Sequence, residues 1–337
     1  MANKNILLVL VVLLIFFSSV IIVFADELVV YSARNPTLIE IPLNDFFNQT
    51  GINIRLASGD IENLLDKLIK DEENSPADVL ITVDAGSLWK ATQADLFQPI
   101  TSDILTKNIP GHLRDPNNNW FGLSKRARVI VYSPQRVNHS LLSTYAALAQ
   151  PEWKNRLCLR TSETVYNQSL VAMMIAKHGT EETEKIIKGW VQNLGHEPYN
   201  KDTDVINAII EGQCDVGIVN HYYLGRMLRS NPDIPVNLFW PNQGESEDGV
   251  HVDISGAGVL KYAKNKEIAI TFLNWLSSKK AQNLFANKNM EYPVNPNVKP
   301  YSLLQIWGNF KENTDHISQS GKNRDKAIEL MHRTNYK

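Results

Sequence analysis

Residues 28–56, LVVYSARNPTLIEIPLNDFFNQTGINIRL, contain a strand, a helix and a second strand in close succession. The short apolar run at 28–31 predicts a strand, and apolar residues spaced three and four apart over 39–49 predict a helix. Gly51 is a typical helix end, and alternating apolar residues over 52–56 predict the next strand. A strand, a helix and a strand in this order form the basic unit of α/β proteins.

The same alternation continues downstream. Asp60 can cap a helix that runs to residue 69, and the apolar run at 77–82 predicts a buried strand before a helix near Gly86. Further strands are predicted at 128–132, 156–160 and 215–220, and further helices at 168–177, 203–211, 223–229 and 272–286. The fold class is therefore α/β, with a largely parallel sheet covered by helices.

Length and composition indicate two globular lobes. A chain of 337 residues favours two domains. Hydrophobic residues make up 43% and charged residues 21%, which is typical of chains with substantial cores. Two α/β lobes leave a cleft between them, and open α/β sheets bind ligands at the carboxyl ends of their strands. The loops at 31–36, 83–86, 161–168 and 220–223 are therefore the candidate binding segments.

The charge balance and the missing motifs exclude several function classes. Lys and Arg number 34 against 36 Asp and Glu, a net charge of −2, whereas nucleic-acid-binding surfaces need a strong basic excess. The sequence contains no dinucleotide-binding or phosphate-loop glycine motif, no Gly-x-Ser-x-Gly and no His-Glu-x-x-His. Its eight histidines show no ligand-like spacing. The sequence gives no support to an enzyme.

Residues 1–25 have the composition of a secretory signal peptide. Lys4 precedes an uncharged run at 6–24, and Ala25 offers a small-residue cleavage position. The alternative is an uncleaved anchor in the inner membrane, because 19 residues are just enough to span a bilayer. Both interpretations place the rest of the chain outside the cytoplasm, in the periplasm.

The two cysteines, Cys158 and Cys214, each lie in a predicted strand. An even cysteine count in an exported chain favours a disulfide, and neighbouring strands can hold the two Cα atoms at the required separation. Two buried thiols are the alternative. A zinc site is not indicated, because clustered histidines are absent from the sequence around them.

Tyrosines occupy the predicted strand-end loops. Tyr166 follows the Cys158 strand, and the pair Tyr222 and Tyr223 follows the Cys214 strand directly. The ordinary interpretation is half-buried tyrosines that hydrogen-bond through their hydroxyls. The functional interpretation is a metal site built from phenolates.

A free tyrosine has a pKa near 10, so it is a poor ligand for most divalent ions at neutral pH. A trivalent hard cation such as Fe³⁺ can drive deprotonation of the group that coordinates it. Three phenolates would neutralise the +3 charge, which a partly buried site requires.

At these residues the chain resembles the ferric-iron-binding periplasmic proteins of ABC transporters, often called bacterial transferrins. It is most similar to their tyrosine-rich subgroup, which is typified in cyanobacteria. The matching segments are VYSAR at 30–34, SPADVLITVDAG at 75–86, WFGLSKRARVIVY at 120–132, VYNQSL at 165–170, NHYY at 220–223 and HVDISGAG at 251–258.

The resemblance implies a two-lobed periplasmic binding protein fold of type II, with the ligand in a cleft that closes about a hinge. The chain would cross between lobes near 125–131 and 251–255. The N-terminal lobe would comprise 26–127 plus 253–303, and the C-terminal lobe 128–252 plus 304–337.

The resemblance further implies that Tyr166, Tyr222 and Tyr223 are Fe(III) ligands. It implies a monomer that receives ferric iron and passes it to an ABC permease with its ATPase, without binding nucleic acid. Membrane contact would come only through the permease or the N-terminal segment.

One departure from the subgroup concerns the N-terminal lobe. Where the subgroup has His and Tyr ligands after Tyr-Ser-x-Arg, this chain has Asn35 and Pro36, and only Asn35 offers a weak amide-oxygen ligand. Other members place a Glu where Val83 stands. We therefore expect water or an anion such as carbonate to complete the coordination.

Arg34 and Arg126 are the candidates for binding that anion, since a guanidinium matches a planar oxyanion with two parallel hydrogen bonds. The alternative for each arginine is a salt bridge between lobes or a solvated side chain. The altered loop also keeps open a same-fold protein for another ligand, such as an organic anion, a polyamine or a ferric chelate.

Overall fold

A computed structural model describes residues 27–337. The predicted signal peptide at 1–25 lies outside the described residues. Across the part of the chain that is described, no helix combines the length and the apolar character needed to cross a membrane.

The strands form one mixed, nine-stranded sheet in the order β2-β1-β3-β8-β4-β6-β5, with β7 and β9 also paired to β4. The strands are β1 (Glu27–Ser32), β2 (Asn53–Ser58), β3 (Val79–Thr82), β4 (Phe121–Tyr132), β5 (Leu157–Cys158), β6 (Val216–Asn220), β7 (Asn237–Phe239), β8 (Val252–Val259) and β9 (Tyr292–Pro293).

The helices are α1 (Glu40–Thr50), α2 (Ile61–Asp71), α3 (Ala85–Gln93), α4 (Asp103–Asn108), α5 (Val165–Asn193), α6 (Asp202–Ile210), α7 (His221–Ser230), α8 (Lys266–Leu276), α9 (Lys279–Asn289), α10 (Ser302–Ile306), α11 (Ser318–Lys322) and α12 (Arg324–Arg333). Local sequence explains several starts and ends. Asp60 caps α2 by accepting from the backbone N–H of Glu62 and Asn63, as predicted, and Gly51 ends α1 with φ at 72°.

The long strand β4 runs through both lobes. Its residues Phe121–Ala127 pair with β8, and its residues Arg128–Tyr132 pair with β6. The change of partner falls between Ala127 and Arg128, where the sequence placed its first domain boundary. The boundaries as a whole stay a prediction.

The prediction of a largely parallel sheet was wrong. Only the pairs β1–β2, β1–β3 and β5–β6 are parallel among the described strands. The pairs that involve β4 or β8 are antiparallel. The physical reason is that β4 and β8 carry the chain between the lobes in opposite directions, which a strand–helix–strand unit does not do.

The single helix predicted at 272–286 was also wrong. The structure has two helices that meet at Ser277 and Ser278. The hydroxyl of Ser278 accepts from the backbone N–H of Ala281 and starts α9, while the Asn295 side chain donates to the Ser277 carbonyl. Serine competes with the helix backbone in this way, so a continuous apolar period does not guarantee a continuous helix.

Two main hydrophobic cores lie on either side of the strand crossing. The N-terminal core surrounds β1, β3 and β8 and includes Phe46, Trp120 and Phe272. The C-terminal core surrounds the end of β4 with β5 and α5 and includes Trp153 and Trp190. The chain thus has the two-lobed architecture that the sequence predicted.

The structure joins Cys158 and Cys214 in the predicted disulfide, with a Cα–Cα distance of 5.9 Å. Both cysteines are buried. The bridge links the end of β5 to the segment that enters β6, and the helices that follow these two strands begin with Tyr166 and Tyr222 in their first turns.

Candidate functional site

A cavity of about 330 Å³ lies between the lobes. That volume would hold roughly ten water molecules. Its lining residues are Ala33, Arg34, Asn35, Leu38, Val83, Arg126, Tyr166, Tyr222, Tyr223, Arg226, Ser255 and Glu291. All the predicted site residues except the cysteines therefore line one cavity.

Three tyrosines come from the first turns of two helices. Tyr166 is the second residue of α5, and Tyr222 and Tyr223 are the second and third residues of α7. The hydroxyl oxygens of Tyr166 and Tyr222 lie 3.5 Å apart. The ring centroids of Tyr222 and Tyr223 lie 4.5 Å apart. These helix starts therefore place three phenol groups, of Tyr166, Tyr222 and Tyr223, on one side of the cavity, which we name the tyrosine wall.

Burial keeps the hydroxyls of Tyr222 and Tyr223 protonated in the absence of a cation. Burial, with the neighbouring Tyr166 and Tyr223, raises the pKa of Tyr222 well above its ordinary value of 10. Burial also raises the pKa of Tyr223, to which Tyr166 adds. A cation that enters must therefore displace protons from these groups.

Arg34 contacts a carboxylate rather than solvent. Its Nη2 donates to both carboxylate oxygens of Glu291, at 3.0 and 3.1 Å, and its Nη1 donates to the hydroxyls of Ser124 and Ser255. Burial would raise the pKa of Glu291, but Arg34 and the other donors hold it below its ordinary value. Arg34 thus forms a buried salt bridge with a residue of the same predicted lobe, and not the bridge between lobes that the sequence left as its alternative.

Arg126 also lines this cavity. Its Nη2 donates to the Ile254 carbonyl at 2.7 Å and lies 3.8 Å from Asp253, and its guanidinium sits 5.1 Å from the Tyr166 ring centroid. Burial disfavours its charge, but Asp253 together with Tyr166, Tyr222 and Glu291 outweighs burial and raises the pKa of Arg126 above its ordinary value.

The Nε atoms of Arg34 and Arg126 are buried and have no hydrogen-bond partner among the described residues. Each guanidinium therefore keeps one N–H without a protein partner. That Arg34 and Arg126 bind an anion stays a prediction.

Two further arginines were not found from the sequence. The guanidinium of Arg226 lies 4.6 Å from the Tyr222 ring centroid and donates to the Asn289 carbonyl. Arg226 stands four residues after Tyr222 on α7, so helical spacing could have revealed it. The guanidinium of Arg160 lies 5.4 Å from the Tyr166 ring centroid. No simple sequence signal points to Arg160.

The loops after β1 and β3 offer the cavity one weak oxygen ligand, the side-chain amide of Asn35. The side-chain oxygen of Asn35 accepts from the backbone N–H and the hydroxyl of Thr37, which starts a short 3₁₀ turn. Leu38 and Val83 are apolar. Within residues 27–337, no cluster of three or more His, Cys, Asp or Glu side chains could hold a metal ion.

A buried network of hydrogen bonds connects the two helix starts that carry the tyrosine wall. Arg128 donates to Asp202 at 2.9 Å and to the Asn167 side-chain oxygen at 2.6 Å. Asp202 also accepts from the backbone N–H of Asn220, whose side chain donates to the Tyr222 hydroxyl at 3.2 Å. Because Asn167 and Asn220 adjoin the starts of α5 and α7, the network fixes the two helix starts relative to each other.

Comparisons with known proteins agree with this architecture. The sequence model of the family described as bacterial extracellular solute-binding protein matches residues 74–307. Iron uptake protein A2 of Synechocystis is 43% identical, covering 90% of this chain and 88% of that protein. Iron uptake protein A1 of the same organism is 39% identical, covering 92% of this chain and 88% of that protein.

A solved structure shows the same fold. The Trichodesmium protein IdiA (FutA), in complex with iron and citrate ligands, gives a TM-score of 0.88 at 42% identity, covering 93% of this chain and 100% of that chain. The chain belongs to the family of bacterial extracellular solute-binding proteins.

Proposed function

We propose that this protein captures ferric iron outside the cytoplasmic membrane, with Tyr166, Tyr222 and Tyr223 as phenolate ligands. The observation that carries the proposal is the convergence of three phenols on one wall of an interlobe cavity. Three phenolates supply hard oxygen ligands and balance the +3 charge, so the bound ion adds no net charge to a partly buried site.

The remaining coordination positions fall to an anion or water, since the loop after β1 offers only the weak oxygen of Asn35 and the Glu291 carboxylate is bound by Arg34. The charged side chains around the tyrosine wall support an anion. They comprise five arginines and three carboxylates: Arg34, Arg126, Arg128, Arg160, Arg226, Glu291, Asp202 and Asp253. The net charge of these eight side chains is positive, and an oxyanion such as carbonate would offset that charge.

Arg34 and Arg126 are the proposed anion contacts, since both residues line the cavity. The cavity of about 330 Å³ has room for more than one ion. The citrate named with the Trichodesmium structure supports a carboxylate as a second candidate for the anion.

We infer that the protein serves an ABC transporter and hands iron to a permease powered by its ATPase. The names of the Synechocystis relatives, both iron uptake proteins, support this role. We also infer a monomeric binding protein rather than an enzyme. It would be located in the periplasm, where the predicted N-terminal segment is either cleaved off or retained as a membrane anchor. Closure would take place about the strand crossing at Ala127 and Arg128.

The proposal is tested by equilibrium dialysis of metal-free protein against labelled Fe³⁺, Fe²⁺, Mn²⁺ and Zn²⁺, with and without bicarbonate or citrate. We expect one Fe³⁺ per chain, weak binding of the divalent ions and a gain in Fe³⁺ affinity with an anion. Equal affinity for all four ions would contradict a phenolate site.

A second candidate is a protein of the same fold that binds an intact ferric chelate of a polycarboxylate. The positive balance around the cavity favours it, and the same balance disfavours a polyamine. Tyrosine substitution separates the two: changing Tyr166, Tyr222 and Tyr223 to Phe should leave binding of the ferric chelate intact only under the second candidate.

A further inference from the structure

His221 comes directly before Tyr222 and Tyr223 in the chain, and its side chain is fully buried. The backbone N–H of Ala127 donates to its Nδ1 at 3.1 Å, and its Nε2 lies 2.8 Å from the Met290 carbonyl. An amide N–H can only donate and a carbonyl can only accept, so the ring is neutral and carries its proton on Nε2.

The two partners of His221 lie where the lobes meet. Ala127 is the last residue of β4 that pairs with β8 before the strand changes partner. Met290 stands between Asn289, whose carbonyl accepts from Arg226, and Glu291, which binds Arg34. One imidazole therefore connects the start of α7 with the crossing strand and with the segment that holds two cavity arginines.

Aromatic neighbours limit rotation of the ring. The His221 centroid lies 4.7 Å from that of Tyr292 and 5.7 Å from that of Tyr222. Both ring nitrogens are engaged by the backbone, so His221 offers no free nitrogen to a cation.

We infer that His221 is a positioning residue for the tyrosine pair. Its two hydrogen bonds hold the start of α7 at a fixed offset from the crossing strand, so that Tyr222 and Tyr223 meet Tyr166 around one ion. This inference rests on the proposed function, because it concerns the geometry of the iron ligands.

Three substitutions separate the two hydrogen bonds. His221→Asn places an amide near the Nδ1 position and keeps the contact with Ala127, whereas His221→Gln reaches the Nε2 position and keeps the contact with Met290. His221→Phe keeps the ring and removes both bonds. Ile187→Ala, a buried α5 residue away from the crossing, is the control for general loss of stability.

The readouts are the thermal midpoint of the apo protein, the tyrosinate-to-iron absorption maximum and the rate of iron loss to excess EDTA. We expect His221→Phe to fold, to shift the maximum and to lose iron about 10- to 100-fold faster, the range typical of residues that orient metal ligands. The Asn and Gln variants should fall between it and wild type. Ile187→Ala should lower the midpoint and leave the maximum unchanged.

Wild-type spectra and rates of iron loss in folded His221→Phe would overturn the inference. So would failure of all three variants to fold, which would assign His221 a purely structural role. Absence of an absorption band in the wild-type protein would instead be a failure of the proposed function.

Discussion

The hydroxyl oxygens of Tyr166 and Tyr222 lie 3.5 Å apart although 56 residues separate them in the chain. Two helix starts, held by the network of Arg128 and Asp202, bring them together. Two phenols at this distance cannot both ionise easily without a cation, because each negative charge disfavours the other.

Proton release on iron binding follows from this arrangement. Burial raises the pKa values of Tyr222 and Tyr223 above 10, so both are protonated at pH 7 before iron enters. Ferric iron should displace one proton from each phenol that it binds, and its affinity should fall as pH falls. A pH-stat titration with ferric nitrilotriacetate should record more protons released by wild type than by Tyr223→Phe, after correction for the chelator. Equal release would contradict ligation by Tyr223.

The buried pair of Arg34 and Glu291 predicts an asymmetric mutational cost. Glu291→Gln leaves the Arg34 charge buried without its carboxylate, which typically costs about 3–5 kcal/mol of unfolding free energy. The double variant Arg34→Gln with Glu291→Gln removes both charges and should recover part of the loss. Urea denaturation of the apo proteins measures both. A single-variant cost below about 1 kcal/mol would show that the pair is not desolvated.

The disulfide predicts a stability effect separate from iron binding. It closes a loop whose ends are 56 residues apart, and loss of such a bridge removes about 4 kcal/mol by loop-closure entropy. The double variant Cys158→Ala with Cys214→Ala should therefore unfold at lower urea concentration, yet bind one iron per chain at 25 °C. Loss of iron binding in the folded variant would mean that the bridge also fixes the site.

His251 predicts how stability depends on pH. Burial, together with Arg128 and Arg126, lowers the pKa of His251 to about 3. Its pKa in the unfolded chain is near 6.5, so between these values the unfolded state binds more protons and stability falls as pH falls. This residue alone should cost about 2 kcal/mol between pH 7 and pH 5.

His251→Gln removes that contribution and should flatten the dependence over the same interval, as measured by urea denaturation at both pH values. His178→Gln, at an exposed position, is the control and should keep the wild-type slope. An unchanged slope in His251→Gln would show that His251 titrates normally.

Local patterns predicted that the tyrosines follow strands, but only the resemblance to a family implied that they bind iron, and neither predicted the surrounding charged groups. Tyr166 and Tyr222 follow strands, so their place at the sheet edge could be predicted from the order of elements. The position of Glu291 in the site could not be predicted, because its pairing with Arg34 depends on how a distant segment of the chain returns past β4. Arg160 was missed for a different reason: it lies close to Tyr166 in the chain, but no simple sequence signal marks its contact with the Tyr166 ring.

The errors in the fold have a similar origin. The antiparallel pairing of β4 and β8 is a tertiary property that the strand–helix alternation does not encode. The break at Ser277 and Ser278 depends on hydroxyl and carbonyl hydrogen bonds, including one from Asn295, rather than on the apolar period.

The central claim is tested most directly by visible absorption during ferric titration of the metal-free protein, beside a variant with Tyr166, Tyr222 and Tyr223 all changed to Phe. Tyr145→Phe, at a buried tyrosine outside the cavity, is the matched control. Phenolate ligation predicts a tyrosinate-to-iron band that saturates at one iron per chain in wild type and control and is absent from the triple variant. Iron binding without such a band, or a band that survives the three substitutions, would contradict it.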